Sequence, residues 1–143
     1  LFQDFGLLEG LTAIENVLLP ETFTGKITPS ARQRARDLLD RFGIRANTPA
    51  GHLSRGEMQR TALARMLMGK PKVIFADEPT ASLDEANARL VMQALVESSK
   101  ELRATLFVIT HDSDLAQTFP LRAHMYQGRW KWIESEPSSR NLP

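Results

Sequence analysis

The sequence predicts an α/β protein in which at least two parallel strands are connected through a helix. Two short apolar runs of strand length, residues 73–76 and 105–109, lie on either side of a segment with helical periodicity at 84–99. Strand, helix, strand in this order is the pattern of a crossover unit. Continuous apolar runs indicate parallel strands that are buried on both faces. Amphipathic segments precede the first strand, so we expect a helical region beside the sheet.

The first two helices have recognisable start and stop signals. Thr12 and Glu15 have the spacing of a capping box, which predicts that a short helix begins near residue 12. Pro20 is expected to end this helix, because proline lacks the backbone N–H that a helix interior needs. The second helix is predicted over residues 28–43, where apolar side chains recur at helical spacing before a glycine.

The remaining elements are predicted in the same way. Ser54 and Glu57 form a second capping box, so a third helix is expected to begin there. A short helix is predicted over residues 112–119. The strands of a terminal hairpin, 124–126 and 129–133, are expected to meet across a Gln-Gly turn.

Composition and charge exclude several classes of protein. The 143 residues are 42% hydrophobic and include no Cys, which argues against a disordered chain and a disulfide scaffold. The 18 Lys and Arg against 17 Asp and Glu give a net charge of +1, so we expect no nucleic-acid partner. No apolar run approaches the roughly 18 residues of a membrane span. The chain begins at Leu1 without the features of a signal peptide, and we expect it to be part of a longer chain.

Polar side chains follow both predicted strands. Asp77 and Glu78 come after the first strand, and Thr110, His111 and Asp112 come after the second. Open α/β sheets bind ligands beyond the carboxyl ends of their strands. A carboxylate on a divalent metal and a second one that orients or deprotonates water suit phosphoanhydride hydrolysis. An Asp-Glu pair alone is more often a helix cap or a loop, so the joint arrangement carries the prediction.

Five motifs in order resemble those of the ATP-binding cassette (ABC) ATPases. Residues 53–60 are similar to the signature motif LSGGQ-x-QR, 73–80 to the Walker B strand, 81–84 to the D-loop, 108–112 to the H-loop and 2–4 to the Q-loop. The order and spacing make this resemblance specific. The segment around the Q-loop, residues 2–17, is most similar to the subgroup of lipoprotein release, macrolide export and bacterial cell division.

The resemblance implies a chemical role for four residues. Asp77 is expected to hold Mg²⁺, and Glu78 to polarise the water that attacks the γ-phosphate of ATP. His111 is expected to contact the γ-phosphate. Gln3 is expected to reach the metal or the attacking water, and to relay the state of the nucleotide to a membrane partner.

The resemblance also implies a dimer interface. Ser54, Gly56 and Glu57 are expected to face the nucleotide held by another subunit, since helix N-termini attract phosphate. Asp84 is expected to lie across the same interface. The expected working unit is therefore a head-to-tail dimer of ATPase subunits with ATP and Mg²⁺. It would drive an integral membrane permease from the cytoplasmic face of the inner or plasma membrane.

Two departures from the family pattern shape the expected fold. Arg55 replaces the first signature glycine and adds a cation near the expected phosphate.

No G-x-x-x-x-G-K-S/T loop is present, because Gly-Lys at 25–26 is followed by Ile and at 69–70 by Pro. In the family this Walker A loop lies upstream of the Q-loop. The predicted fold is therefore an incomplete P-loop NTPase-type ABC nucleotide-binding domain, without N-terminal strands or Walker A. It retains a helical subdomain and a terminal β-hairpin, and we expect this chain alone to bind ATP weakly.

The predicted organisation is one partial ABC ATPase domain over residues 1–133. A helical and signature region is expected over about 5–70, and the Walker B strand, H-loop and hairpin over 71–133. The polar, Pro-containing tail at 134–143 is expected to be disordered.

Two alternatives to a transport ATPase stay open at this point. The first is a non-transport ABC ATPase of DNA repair or translation. The short spacing from Gln3 to Ser54 argues against the long coiled-coil insertion of the repair type, and no basic stripe supports RNA binding. The second is a truncated binding module that offers its signature helix to a full-length partner without hydrolysing ATP.

Overall fold

The computed structural model describes residues 5–23, 25–81 and 83–133. It divides the chain into two compact units, Leu1–Ile109 and Thr110–Pro143, which are described separately. The sequence-based division near residue 70 stays a prediction. Gln3 and the tail at 134–143 lie outside the described residues. None of the helices in the described part of the chain combines the length and apolar character that a bilayer crossing requires.

Three helices form the first part of the larger unit. They are α1 (Ala13–Thr22), α2 (Pro29–Arg41) and α3 (Arg55–Met68), with a single 3₁₀ turn at Ala50–His52 before α3. Both predicted capping boxes form, one at Thr12 and one at Ser54. They satisfy N–H groups that the first turn of a helix leaves without intrahelical partners.

Pro20 does not end α1, contrary to the sequence prediction. The helix continues through Pro20 to Thr22, whose hydroxyl donates a hydrogen bond of 2.6 Å to the Leu19 carbonyl oxygen. A proline in a helix lacks the N–H that would bond to the carbonyl oxygen four residues earlier, and its ring crowds that carbonyl, but the residues that follow it keep their own N–H groups. Glu21 and Thr22 can therefore continue α1 beyond Pro20.

The strands of this unit are β1 (Val73–Asp77) and β2 (Thr105–Ile109), joined through α4 (Glu85–Leu102). They pair in parallel from Val73 opposite Thr105 to Asp77 opposite Ile109, which confirms the predicted strand, helix, strand order. Helix α4 runs three residues beyond the predicted end at 99. It stops where Arg103 adopts a left-handed conformation, with φ of 51°.

The prediction that both strands are buried on both faces is wrong for this structure. Ile74 and Ala76 are 1% exposed, whereas Phe75 is 61% and Phe107 50% exposed. The two exposed rings stack with centroids 5.1 Å apart. Among the residues that the structure describes, two strands form this sheet and α4 packs on it, so one face is covered and the other carries exposed apolar side chains.

The core of the larger unit lies where its helices meet. Helix α3 packs against α1, α2 and α4, and α4 packs against β2. The largest fully buried apolar side chains are Val17, Leu18, Leu39, Leu63, Ile74, Val91 and Leu95. Arg41 at the end of α2 pairs with Glu97 at 3.3 Å and with Glu101 at 2.8 Å on α4. Helix α3 is thus the central helix of the described part of this unit, since it packs against three other helices.

The smaller unit contains α5 (Ser113–Gln117) and a hairpin of β3 (Arg122–Tyr126) and β4 (Arg129–Ile133). The strands pair antiparallel, which confirms the predicted hairpin, although β3 begins two residues earlier than expected. Gln127 and Gly128 have φ of 48° and 72°. Positive φ at both turn residues is the requirement of the type I′ turn, whose twist matches that of the two strands.

Candidate functional site

The N-terminus of α3 is a capped and exposed helix start. The Ser54 hydroxyl accepts a hydrogen bond of 3.3 Å from the Glu57 N–H, and the Glu57 carboxylate accepts one of 2.8 Å from the Ser54 N–H. The Ser54 backbone N–H lowers the pKa of Glu57 below its ordinary value, and the Ser54 side chain contributes less. Glu57 is therefore a capping carboxylate, and Ser54 stands at the positive end of the helix dipole.

Gly56 is buried in the first turn of α3, against the start of α4. A Cβ atom at this position would lie 3.2 Å from Asn87 Oδ1 and 3.3 Å from Arg60 Nη1. Contacts this short are tighter than almost all real Cβ contacts, so a side chain here would displace its neighbours. Packing inside this chain therefore explains why a glycine stands at position 56. The sequence alone did not reveal this reason.

The carboxyl end of β1 carries the Asp77 and Glu78 pair. Asp77 is exposed and is the last residue of the strand, opposite Ile109. Glu78 has φ of 44°, and its N–H donates a hydrogen bond of 2.9 Å to the Ile109 carbonyl oxygen. A left-handed conformation at a residue other than glycine, asparagine or aspartate is uncommon and concentrates at functional sites. The loop that holds Glu78 is thus tied to β2 in an unusual conformation.

The donor set at the end of β1 suits magnesium. Magnesium at nucleotide sites is bound by one or two carboxylates together with phosphate oxygens and water. The exposed carboxylate of Asp77 fits the part that the protein supplies in such a site. Within residues 5–23, 25–81 and 83–133, no group of three or more His, Asp or Glu side chains is placed to hold a metal ion.

Asp84 is the N-cap of α4 rather than its first residue. Its Oδ1 accepts a hydrogen bond of 2.9 Å from the Asn87 N–H, and its Oδ2 accepts one of 2.6 Å from Asn87 Nδ2. These two contacts, the backbone one first, lower the pKa of Asp84. The exposed D-loop carboxylate is therefore held in place by the helix that it caps.

His111 belongs to the smaller unit and is exposed. It lies between Thr110 and Asp112, and the Asp112 N–H donates a hydrogen bond of 3.0 Å to the Thr110 hydroxyl. Asp112 caps α5 by accepting hydrogen bonds from the N–H groups of Asp114 and Leu115. His111 therefore lies in a loop that ends at the N-cap of α5.

Three residues of α3 with structural roles were missed in the sequence analysis. Gln59 donates a hydrogen bond to the Pro79 carbonyl oxygen, and Arg60 donates one of 2.6 Å to Asn87 Oδ1. Arg65 donates hydrogen bonds to the carbonyl oxygens of residues 5 and 6, at 2.7 and 2.6 Å. A cation within the apolar run 63–67 was a signal that could have identified Arg65. Helix α3 thus holds the segment after the Q-loop, the loop after Glu78 and the start of α4.

The fold, with Asp77 and Glu78 at the end of β1, is that of part of an ABC-type nucleotide-binding domain of the P-loop NTPase class, as predicted from the sequence. Residues 1–81 match the family described as ABC transporter. The chain therefore belongs to the ABC transporter family.

Curated relatives support the predicted subgroup. The chain is 41% identical over 131 residues to the lipoprotein-releasing system ATP-binding protein LolD 2 of Chlorobaculum tepidum. It has the same identity over 131 residues to LolD of Leptospira interrogans. These alignments cover 90% of this chain but 53% and 55% of the relatives. The chain therefore spans about half the length of the relatives that it matches.

Solved structures show the same fold. A dimeric post-hydrolysis state of the ATP-binding cassette MJ0796, bound to ADP and Pi, matches with a TM-score of 0.79 and 34% identity. That match covers 94% of this chain and 62% of the other. CbiO1 of Clostridium perfringens, part of an ABC transporter complex, matches with a TM-score of 0.76 and 32% identity over 90% of this chain and 52% of the other.

Proposed function

We propose that this chain is part of the ATP-hydrolysing subunit of an ABC transporter of the lipoprotein-release type. The subunit acts as a head-to-tail dimer on the cytoplasmic face of the membrane and drives an integral membrane permease. The observation that carries this proposal is the 41% identity over 131 residues to a lipoprotein-releasing system ATP-binding protein. The Asp and Glu pair at the end of β1 supports the hydrolytic part of the proposal.

Four residues have proposed roles toward the nucleotide held by this subunit. Asp77 holds Mg²⁺, which neutralises phosphate charge when it is bound. Glu78 orients and polarises the attacking water, His111 contacts the γ-phosphate, and Gln3 reaches the metal or the water. The exposure of Asp77 and the left-handed conformation of Glu78 support the first two roles.

Four other residues have proposed roles toward the nucleotide of the partner subunit. Ser54, Gly56 and Glu57 present the start of α3 to its phosphates, and Asp84 lies at the same interface. The solved cassette MJ0796 is described as a dimer bound to ADP and Pi, which supports a dimeric working unit. The exposed N-cap positions of α3 and α4 are available for such a contact.

Phosphate release from ATP by the full-length protein, with and without its permease, tests the hydrolytic part. Glu78→Gln keeps the size of the side chain and removes the carboxylate, so the hydrolysis rate is expected to fall about 10²-fold or more. Gln93→Ala is the control, because Gln93 is an exposed amide on α4 whose side chain donates a hydrogen bond to Glu97, one turn along the same helix. A parent protein without ATPase activity, or full activity of Glu78→Gln, would contradict the proposal.

Release of a lipoprotein from proteoliposomes tests the transport part. The full-length subunit and its permease are expected to release a membrane-anchored lipoprotein only with ATP, and Glu78→Gln is expected to stop release. ATP-driven movement of a macrolide without lipoprotein release would assign the subunit to the export type instead. Binding to nucleic acid that stimulates hydrolysis would favour the non-transport alternative.

A further inference from the structure

We propose that Asn87 is a positioning residue that ties the D-loop residue Asp84 to Arg60 in the second turn of the signature helix α3, next to Gly56 in its first turn. The proposal rests on the function proposed above, in which Asp84 and the start of α3 both serve the dimer interface. Asn87 lies outside the residues that the family motifs supplied as candidates. It is three positions into a helix whose cap is Asp84.

The side-chain amide of Asn87 bridges a cation and an anion. Its Oδ1 accepts a hydrogen bond of 2.6 Å from Arg60 Nη1, and its Nδ2 donates one of 2.6 Å to Asp84 Oδ2. Each bond has one charged partner, which makes both stronger than bonds between neutral groups. Rotation of the amide by half a turn would set oxygen against the carboxylate and N–H against the guanidinium. The two charged neighbours therefore define one orientation of the amide.

Arg60 connects this bridge to the helical region. Its Nε donates a hydrogen bond of 3.1 Å to the carbonyl oxygen of Phe42, which follows α2 directly. The guanidinium thus spans from the end of α2 to the start of α4. Because a guanidinium is a rigid plane with several donors, a lysine at this position could not make both contacts in the same geometry.

Because Gly56 has no side chain, there is room beside it for the hydrogen bond between Asn87 and Arg60. A Cβ at Gly56 would approach both bridge partners, Asn87 Oδ1 at 3.2 Å and Arg60 Nη1 at 3.3 Å. The first turns of α3 and α4 are therefore in close contact, with the bridge between them. In this geometry a movement of Asp84 changes the position of the turn that begins at Ser54, and the two proposed interface elements move together.

A double-mutant cycle, measured by thermal unfolding without nucleotide, tests the contact between Gly56 and Asn87. Gly56→Ala, Asn87→Ala and the double variant are compared with the full-length parent. Since a Cβ at position 56 would lie only 3.2 Å from Asn87 Oδ1, Gly56→Ala is expected to shift Tm more favourably in the Asn87→Ala background than in the parent. Equal shifts in both backgrounds would overturn the proposal. This measurement does not depend on ATPase activity, so its failure is distinguishable from failure of the proposed function.

ATP-dependent dimerisation tests the positioning role. In the Glu78→Gln background, Asn87→Ala is expected to weaken the dimer about tenfold, because Asp84 is then no longer held against Arg60. Gln93→Ala, an amide truncation on the exposed face of the same helix, is expected to change it less than about twofold. A lower Tm with unchanged dimer affinity would overturn the proposal, since that is the result of a merely structural contact. A parent that does not dimerise with ATP would overturn the proposed function and this role with it.

Discussion

The side-chain amide of Gln59 on α3 donates a hydrogen bond to the carbonyl oxygen of Pro79, one residue beyond Glu78. Gln59 is 3% exposed, and Pro79 is fully buried. The N–H of Glu78, the residue before Pro79, donates a hydrogen bond to the Ile109 carbonyl oxygen. The loop that carries the proposed catalytic carboxylate is therefore held from the signature helix and from β2.

Substitutions of Gln59 should show that its side-chain N–H stabilises the fold and that its side-chain oxygen does not. Gln59→Glu places a buried carboxylate against the Pro79 carbonyl oxygen, and should lower the free energy of unfolding by about 2 kcal/mol or more at neutral pH. Gln59→Met should cost less, about 1 kcal/mol, because Gln59 Oε1 has no hydrogen-bond partner among the described residues and its loss is harmless. Urea unfolding at several pH values measures both.

The effect of Gln59→Glu should shrink in acid, where a protonated carboxyl can donate to the same carbonyl. Gln93→Glu is the control on an exposed position of α4, and should cost no more than about 0.5 kcal/mol. Equal costs at positions 59 and 93 would show that the hydrogen bond to Pro79 contributes nothing.

Arg65 should stabilise the segment that follows the Q-loop. Its guanidinium is partly buried, and burial lowers its pKa, while two backbone carbonyl oxygens at 2.6 and 2.7 Å accept its hydrogen bonds. Arg65→Met should lower the free energy of unfolding by about 2 kcal/mol. Arg65→Lys should recover only part of this, because an ammonium does not reproduce the planar fork. Denaturant unfolding, with amide hydrogen exchange at residues 7 and 8, measures the change.

Arg89 offers a matched control for this prediction. It is an exposed arginine on α4 that pairs with Glu85 at 3.0 Å. Arg89→Met should change stability by less than about 0.5 kcal/mol. If Arg65→Met changed stability no more than Arg89→Met, and left hydrogen exchange near residue 7 unchanged, the hydrogen bonds of Arg65 to residues 5 and 6 would contribute nothing to stability.

The capping box at Ser54 should make stability depend on pH in acid. The folded-state pKa of Glu57 is below its ordinary value of 4.5. A lowered pKa means that the stabilisation is present above pH 4.5 and is lost as the pH falls through the folded-state value. Glu57→Gln retains a neutral acceptor whose strength does not change with pH.

The difference in Tm between the parent and Glu57→Gln should therefore be largest near neutral pH and shrink as the pH falls below the ordinary pKa. Glu15, Asp84 and Glu101 also have lowered pKa values, but they are present in both proteins and cancel in the difference. A difference that stays constant across the acid range would refute the assigned role of the Glu57 carboxylate.

The 143-residue chain by itself should bind ATP weakly. Its candidate groups reach the metal and the γ-phosphate, and the sequence contains no G-x-x-x-x-G-K-S/T loop for the α- and β-phosphates. An ATP titration followed by calorimetry should give a dissociation constant well above the micromolar range. ADP, which lacks the γ-phosphate, is the control and should bind more weakly still. Micromolar affinity for ATP would contradict this prediction.

Local signals in the sequence were sufficient for the order of the elements. Both capping boxes, the parallel pair of strands and the hairpin turn were predicted, because each depends on residues a few positions apart or on the period of apolar side chains. The motifs that resemble the ABC ATPases were likewise short, and the family was confirmed. The error at Pro20 arose because a proline removes its own N–H only, and does not prevent the residues after it from staying helical.

Tertiary structure alone decided how these elements are held together. The partners of Gln59, Arg60 and Arg65 lie 20, 27 and about 60 positions away in the chain, and no local pattern encodes such pairs. The one-sided burial of β1 likewise depends on which helix packs on a sheet of two strands. The sequence by itself determined the elements and the family, since short-range sterics and spacing govern both. Which groups support Glu78, Asp84 and Ser54 was decided by packing, since only the folded chain brings distant donors and acceptors together.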